Sequence, residues 1–209
     1  MRQIESTGVI AIIRASSSDE LIEVVNALHE GGVTCIEVTM TTPNALEVIR
    51  KARKAVGDSA AIGVGTVMDS ETARSSILAG AQFVVSPILD LPTVEICKQC
   101  DVPVVPGALS PTEIVRAWQA GVDMVKVFPT GALGPKYIQD LRGPLPHIKY
   151  VPTGGVNLDT AADFIHAGAA ALGVGSSLVT KEAVNNRDFA TIKATAAEFL
   201  KRVRQARET

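Results

Sequence analysis

Two charged residues stand inside short apolar runs, where a charge is costly unless it is paired or has a chemical task. Glu37 lies in CIEVTM at positions 35–40, and Lys126 lies in DMVKVFP at positions 123–129. Because burial disfavours the charged ammonium, a buried lysine can serve as a nucleophilic amine. A lysine that attacks a carbonyl carbon needs a proton shuttle beside it, which a carboxyl group can provide. The pair therefore indicates covalent catalysis on a carbonyl substrate, with a plain Lys126–Glu37 ion pair as the alternative.

Other strand-like runs also end in polar residues or glycines: Arg14, Thr66, Thr153-Gly154-Gly155 and Gly173-Val174-Gly175-Ser176-Ser177. Chemistry in parallel α/β folds gathers at the carboxyl ends of the strands, so these residues should share one rim with Glu37 and Lys126. Glycine loops after the last two strands of a barrel commonly bind phosphate through backbone N–H groups. The two glycine loops therefore predict a phosphate site.

A recurrent sequence pattern indicates how the chain is organised. Four times, a helical stretch ends in small residues plus glycine and a β-branched run follows, with the glycines at 32, 80, 121 and 168. Each interval is about two βα units long, and four further strand-like runs lie between these marks. Strands that alternate with helices predict parallel pairing through right-handed crossovers. We expect eight βα units in one α/β domain over residues 1–209, a single (β/α)8 TIM barrel, with a doubly wound open sheet as the alternative.

Two helix starts carry a local signal. The helix expected over residues 19–29 has possible caps at 16–18. The helix expected over residues 43–56 has Thr42 as its N-cap and Pro43 at its first position, where proline is favoured. Cys97 and Cys100 close a helical segment that begins near Asp90, so we interpret them as two partly buried helix cysteines rather than a redox or zinc pair.

Composition restricts the class of protein. The 209 residues are 46% hydrophobic and carry a formal net charge of −2, which disfavours disorder, nucleic-acid binding and binding to an anionic membrane. No apolar run approaches the roughly 18–20 residues that span a bilayer, and the start MRQIESTGVIAIIR does not resemble a secretory signal. We expect a cytoplasmic protein that binds a small molecule and uses no metal and no cofactor.

Seven motifs, in order and over almost the whole chain, resemble the class I 2-keto-3-deoxy-6-phosphogluconate (KDPG) and 4-hydroxy-2-oxoglutarate (KHG) aldolases. They are IIRA (12–15), EGGVTCIEVT (30–39), GVGTV (63–67), QFVVSP (82–87), VKVFP (125–129), PTGGVN (152–157) and GVGSSL (173–178). The resemblance implies that Lys126 forms a Schiff base with the C2 carbonyl of a 2-oxo acid and that Glu37 moves the protons. It also implies a homotrimer.

The same resemblance implies roles for the remaining site residues. Arg14 and Thr66 would hold the pyruvate carboxylate, Phe128 would pack on the pyruvyl group, and Thr153 would hydrogen-bond near the reacting atoms. The distal phosphate would be bound at Gly154, Gly155 and Ser176, and Pro87 and Gly175 complete the substrate-binding set. Some members carry an arginine four residues after the glutamate, where this chain has Thr41, so Arg14 is the natural replacement.

The implied reaction is the reversible cleavage of 2-dehydro-3-deoxy-6-phosphogluconate to pyruvate and D-glyceraldehyde 3-phosphate, alongside cleavage of 4-hydroxy-2-oxoglutarate to pyruvate and glyoxylate. One alternative is the aldolase of the 6-phosphogalactonate substrate, which differs in configuration at C4. A second is a phosphate-sugar isomerase or synthase on the same barrel, which would use a carboxylate base without an imine. A non-catalytic sensor is disfavoured because both Lys126 and Glu37 are retained.

Overall fold

Short strands alternate with helices along the computed structural model, which describes residues 1–14 and 18–208. The strands are β1 (Val9–Ile13), β2 (Cys35–Thr39), β3 (Ala61–Gly65), β4 (Val84–Val85), β5 (Val104–Val105), β6 (Gly107–Ala108), β7 (Val125–Val127), β8 (Tyr150–Pro152) and β9 (Leu172–Val174). The helices are α1 (Arg2–Thr7), α2 (Ser18–Glu30), α3 (Ala45–Val56), α4 (Ser70–Leu78), α5 (Leu91–Gln99), α6 (Pro111–Gln119), α7 (Gly134–Arg142), α8 (Ala161–His166), α9 (Lys181–Asn185) and α10 (Phe189–Glu208).

All strand pairs are parallel, as the alternating pattern predicts. One sheet has the order β5-β4-β3-β2-β1-β9 and a second has the order β6-β7-β8. The last strand, β9, lies beside β1, where a doubly wound sheet that reverses at β1 would place β6, so that alternative is wrong. The expected fifth strand is divided into β5 and β6 at Pro106, which has no N–H to donate. The chain therefore has an α/β fold whose parallel sheet forms a half-barrel.

Two apolar layers lie on opposite faces of the strands. The larger layer packs the strands against the helices. The smaller layer fills the inner face with side chains such as Ile10, Phe83 and Met124, and Ile4 of α1 joins it. Because strand side chains alternate, Lys126 shares the inner face of its strand with Met124, two residues before it. Lys126 therefore lies next to the inner apolar layer, on the side of the carboxyl ends of the strands.

Helix starts agree with the sequence in some places and not in others. The helix α5 begins beside Asp90, as expected, and Asp90 caps it by accepting a hydrogen bond from Thr93 N at 2.9 Å. The prediction for Thr42 is wrong: α3 begins at Ala45, and Asn44 before it adopts a left-handed φ of 55°. Thr42 is instead buried, with its hydroxyl 3.5 Å from that of Thr39. The caps proposed at 16–18 lie outside the described residues or on a side chain that is not described.

Candidate active site

Glu37 lies in the middle of β2 and its side chain is only 1% exposed. Space for its carboxyl group exists because Gly65 at the end of β3 has no side chain: a Cβ there would lie 1.6 Å from Glu37 Oε1. Oε1 has no hydrogen-bond partner in the part of the chain that the structure describes. Burial raises the pKa of the Glu37 carboxyl, while the positive charges of Lys126 and Arg14 act in the opposite direction. A buried carboxyl group is thus available to hold or to release a proton.

Lys126 lies in the centre of β7, directly between Gly107 of β6 and Val151 of β8 in the strand register. The residue is 6% exposed, and its Nζ lies 5.1 Å from the centroid of the Phe128 ring. The positive charge of Lys126 acts on the Glu37 carboxyl group, yet the two side chains form no ion pair within 4.0 Å among the described residues. The arrangement differs from a closed ion pair, because Oε1 remains unpaired. The structure therefore places the two predicted residues near one another, without a direct ion pair between them.

Arg14, Thr66 and Pro87 follow the carboxyl ends of β1, β3 and β4. Arg14 is exposed at this rim. Its charge nevertheless opposes part of the rise in the Glu37 pKa that burial causes. Thr66 has a φ of 59°, a left-handed conformation that is strained for a β-branched residue. Such strain costs about 1–3 kcal/mol and is found mostly at functional sites. Pro87 packs against Gly107, where a Cβ would lie 2.3 Å from the Pro87 carbonyl oxygen.

The two glycine loops lie side by side after β8 and β9. Thr153 is buried and forms an isolated parallel bridge with Gly173. Gly154 and Gly155 have φ of 93° and 73°, which L side chains rarely adopt. Among the described residues, no acceptor lies on the N–H group of either glycine. Two neighbouring N–H groups without partners are available to donate hydrogen bonds to an anion.

The second glycine loop is open to solvent. Ser176 is exposed and Gly175 is partly exposed. Gly175 has no positive φ, and a Cβ placed on it would meet only Ile12 Cβ, at 4.0 Å. Neither backbone conformation nor packing therefore requires glycine at this position. The space beside Gly175 is therefore open.

The two buried cysteines, Cys35 and Cys97, do not add a reactive thiol. Burial raises the pKa of Cys35, which lies on the same strand face as Glu37, to about 11. Burial also raises the pKa of Cys97 to about 12, and Cys100 is exposed at the C-cap of α5 rather than partly buried as predicted. Both buried thiols are thus protonated at neutral pH. Within residues 1–14 and 18–208, no three His, Cys, Asp or Glu side chains form a group that could hold a metal ion.

Two residues that shape the site were not singled out from the sequence. Gly65 appears only within the GVGTV motif, and the carboxyl group it accommodates belongs to another strand. Thr130 is fully buried and its hydroxyl bonds to the loop after β8, 24 residues away. Gly65 ends a strand whose neighbour in the sheet carries a buried charge, and that combination could have indicated it. No sequence pattern indicates Thr130.

Comparisons with known proteins agree with this geometry. The model of the KDPG and KHG aldolase family matches residues 1–195. The chain is 35% identical to 2-dehydro-3-deoxy-phosphogluconate aldolase of Treponema pallidum (strain Nichols) over 199 residues, 94% of each chain. It is 32% identical to 2-dehydro-3-deoxy-6-phosphogalactonate aldolase of Escherichia coli (strain K12), over 95% of each.

A solved structure is also similar over almost the whole chain. It is KDPG aldolase from Legionella pneumophila with pyruvate captured as a covalent carbinolamine intermediate. The identity is 27%, the TM-score is 0.87, and the match covers 93% of this chain and 95% of that one.

No helix in the described ranges is long and apolar enough to cross a membrane.

Proposed function

Because the chain belongs to the KDPG and KHG aldolase family, we propose that it cleaves a 2-oxo acid between C3 and C4 through a Schiff base on Lys126. One observation carries the proposal: a buried amine lies near a buried carboxyl group whose Oε1 has no partner among the described residues. The carbinolamine in the Legionella relative is an intermediate of the same kind of reaction. The scaffold we propose is one closed eight-stranded barrel domain, with β5 and β6 as one strand. The isolated bridges Tyr150–Ala169 and Thr153–Gly173, which join β8 and β9, support that closure.

The proposed reaction begins with attack of Lys126 Nζ on the C2 carbonyl carbon, and a proton moves from the nitrogen to the oxygen to give a carbinolamine. Glu37 then donates its proton to the carbinolamine hydroxyl, water leaves, and an iminium remains. The resulting carboxylate removes the proton of the C4 hydroxyl. The C3–C4 bond breaks, the aldehyde leaves, and the electron pair forms the C2–C3 double bond of an enamine. Glu37 returns the proton to C3, and water releases pyruvate from the iminium.

The rim residues would hold the two ends of the substrate. Arg14 and Thr66 bind the carboxylate at C1, because a guanidinium can donate two parallel hydrogen bonds to it. Phe128 covers the pyruvyl group beside Lys126 Nζ, and Pro87 lines the rim opposite Gly107. Thr153 hydrogen-bonds near the reacting atoms. The phosphate lies on the N–H groups of Gly154 and Gly155 and against the second loop, at Gly175 and Ser176.

The substrate we propose is 2-dehydro-3-deoxy-6-phosphogluconate, with 4-hydroxy-2-oxoglutarate as a second substrate. Relatives of similar identity are named for the gluconate and for the galactonate compound, which differ in configuration at C4. A coupled pyruvate-release assay on all three compounds ranks them by kcat/KM. We also propose that the protein is a homotrimer and that it is located in the cytoplasm.

Trapping with pyruvate tests the proposed chemistry directly. Borohydride reduces an iminium to a stable amine, so treatment in the presence of pyruvate should add one reduced pyruvyl group to the peptide that contains Lys126. Peptide mass spectrometry locates the adduct, and protein treated with borohydride alone is the control. A protein that releases pyruvate from its substrate yet stays unlabelled would use the carboxylate-base chemistry of an isomerase or synthase instead.

Replacing Gly65 with alanine should lower kcat by about 10²-fold, because the new methyl group needs the position of Glu37 Oε1 and the carboxyl group must move. Gly143→Ala is a matched control: its Cβ would lie 3.5 Å from Asp140 O, an ordinary contact, at the end of α7. Steady-state kinetics and circular dichroism measure both variants. A folded Gly65→Ala protein with the kcat of the wild type would show that the position of Glu37 is not critical.

A further inference from the structure

Three residues, Thr130, Thr160 and Ser177, together donate hydrogen bonds to the four main-chain carbonyls of residues 153–156, the loop after β8. The bonds run from Thr130 N to Thr153 O (3.0 Å), from Thr130 Oγ1 to Gly154 O (2.7 Å), from Thr160 Oγ1 to Gly155 O (3.0 Å) and from Ser177 Oγ to Val156 O (2.6 Å). These donors come from three different segments of the chain. Four consecutive carbonyls of one loop are therefore fixed from outside the loop.

Fixing the carbonyls also fixes the amide groups. In a planar trans peptide the C=O and the following N–H point in opposite directions. Since Thr153 O and Gly154 O both face Thr130, the N–H groups of Gly154 and Gly155 both face away from it. These are the two N–H groups that have no acceptor among the described residues. The hydroxyl bonds thus direct two free donors to one side of the loop.

Thr130 contributes most to this arrangement. It is fully buried, and it bonds to two carbonyls, through its backbone N–H and its hydroxyl. Glycine has the greatest conformational freedom of any residue, so a Gly-Gly loop without such bonds would lose much entropy when a ligand orders it. A loop that is already held in the binding conformation avoids that cost.

We propose that Thr130, Thr160 and Ser177 are positioning residues that preform the Gly154–Gly155 loop as a site for the phosphate monoester end of the substrate. The inference rests on the proposed function for the identity of the substrate. The binding of a phosphate group to the loop can be tested without it. The three hydroxyls touch main-chain carbonyls and leave the Gly154 and Gly155 N–H groups as the donors to the phosphate.

Thr130→Val tests the proposal, because valine keeps the shape of the side chain and removes the hydroxyl. We expect KM for 2-dehydro-3-deoxy-6-phosphogluconate to rise about tenfold, the usual effect of one lost buried hydrogen bond. Pyruvate carries no phosphate, so borohydride labelling at Lys126 should change far less than KM. Thr130→Ser keeps the hydroxyl and should restore KM. Thr195→Val, which removes a hydroxyl bonded to Thr191 O on exposed α10, is the matched control.

Binding of inorganic phosphate provides a second measurement that does not depend on catalysis. Phosphate should raise the Tm of the wild type and of Thr130→Ser more than that of Thr130→Val. Ser177→Ala should show a smaller loss of the same kind, which keeps the test valid if Thr130→Val does not fold. Equal losses in KM and in pyruvate labelling, or an unchanged phosphate response in both variants, would overturn the proposal. A wild type that binds phosphate in this way but neither takes the pyruvate label nor releases pyruvate would instead contradict the proposed function alone.

Discussion

Lys126→Met should lower the rate of aldol cleavage by at least about 10⁴-fold and abolish the pyruvate adduct, because methionine has no amine to form the iminium that accepts the electrons of the C3–C4 bond. Methionine resembles lysine in length, and it is compatible with a position that is 6% exposed beside the Phe128 ring. The fold should therefore survive the change. Stopped-assay kinetics and borohydride labelling on the same preparations measure both effects.

Lys126→Arg separates covalent catalysis from electrostatics. Arginine keeps the positive charge near Glu37 but remains protonated at all accessible pH values, so it cannot attack a carbonyl carbon. If the amine acts covalently, Lys126→Arg and Lys126→Met should be similarly inactive. Activity in Lys126→Arg within about tenfold of the wild type would mean that the residue acts through its charge. Lys193→Met on α10, which removes an exposed ion pair with Glu30 at the end of α2, controls for the loss of a lysine.

The sequence singles out Glu37 and Lys126 because each is an exception to a simple rule. Charged residues are rare inside apolar strands, so Glu37 and Lys126 stand out against their own neighbours in the chain. The alternation of strands and helices then requires the carboxyl ends of all strands to meet at one rim. These two arguments predict a candidate site without any knowledge of which strands are adjacent.

Contacts between neighbouring strands and loops are beyond this kind of prediction. The Gly65 position matters because register places Thr39 opposite it, so that the Glu37 side chain reaches the space that a Cβ would occupy. Thr130 matters because its loop packs against one that is 24 residues distant. The N-cap prediction for Thr42 fails for a different, local reason: Asn44, a residue type that tolerates the left-handed region, ends a turn that delays the start of α3 to Ala45.

Glu37→Gln is expected to lower kcat by about 10²–10⁴-fold, because the amide can neither donate nor remove a proton. Its shape matches the carboxyl group, so the space beside Gly65 remains filled. Burial raises the pKa of Glu37 above its ordinary value of 4.5, and the dehydration step needs the protonated form. The wild-type rate should therefore fall as pH rises through this raised pKa. The small residual rate of Glu37→Gln should lack that decline, and Glu95→Gln on the exposed face of α5 should keep it.

The same carboxyl group should destabilise the folded protein at high pH. A folded-state pKa above 4.5 means that, between 4.5 and the raised pKa, the unfolded chain binds fewer protons than the native protein. The free energy of unfolding then decreases as pH rises through that interval and stays low above it. Glu37→Gln does not ionise, so its Tm should exceed that of the wild type at about pH 8, and the difference should shrink towards about pH 5. Thermal melts across this range measure it. A difference that grows towards low pH would mean that the folded state stabilises the ionised form of Glu37. In that case Glu37 would act first as a base.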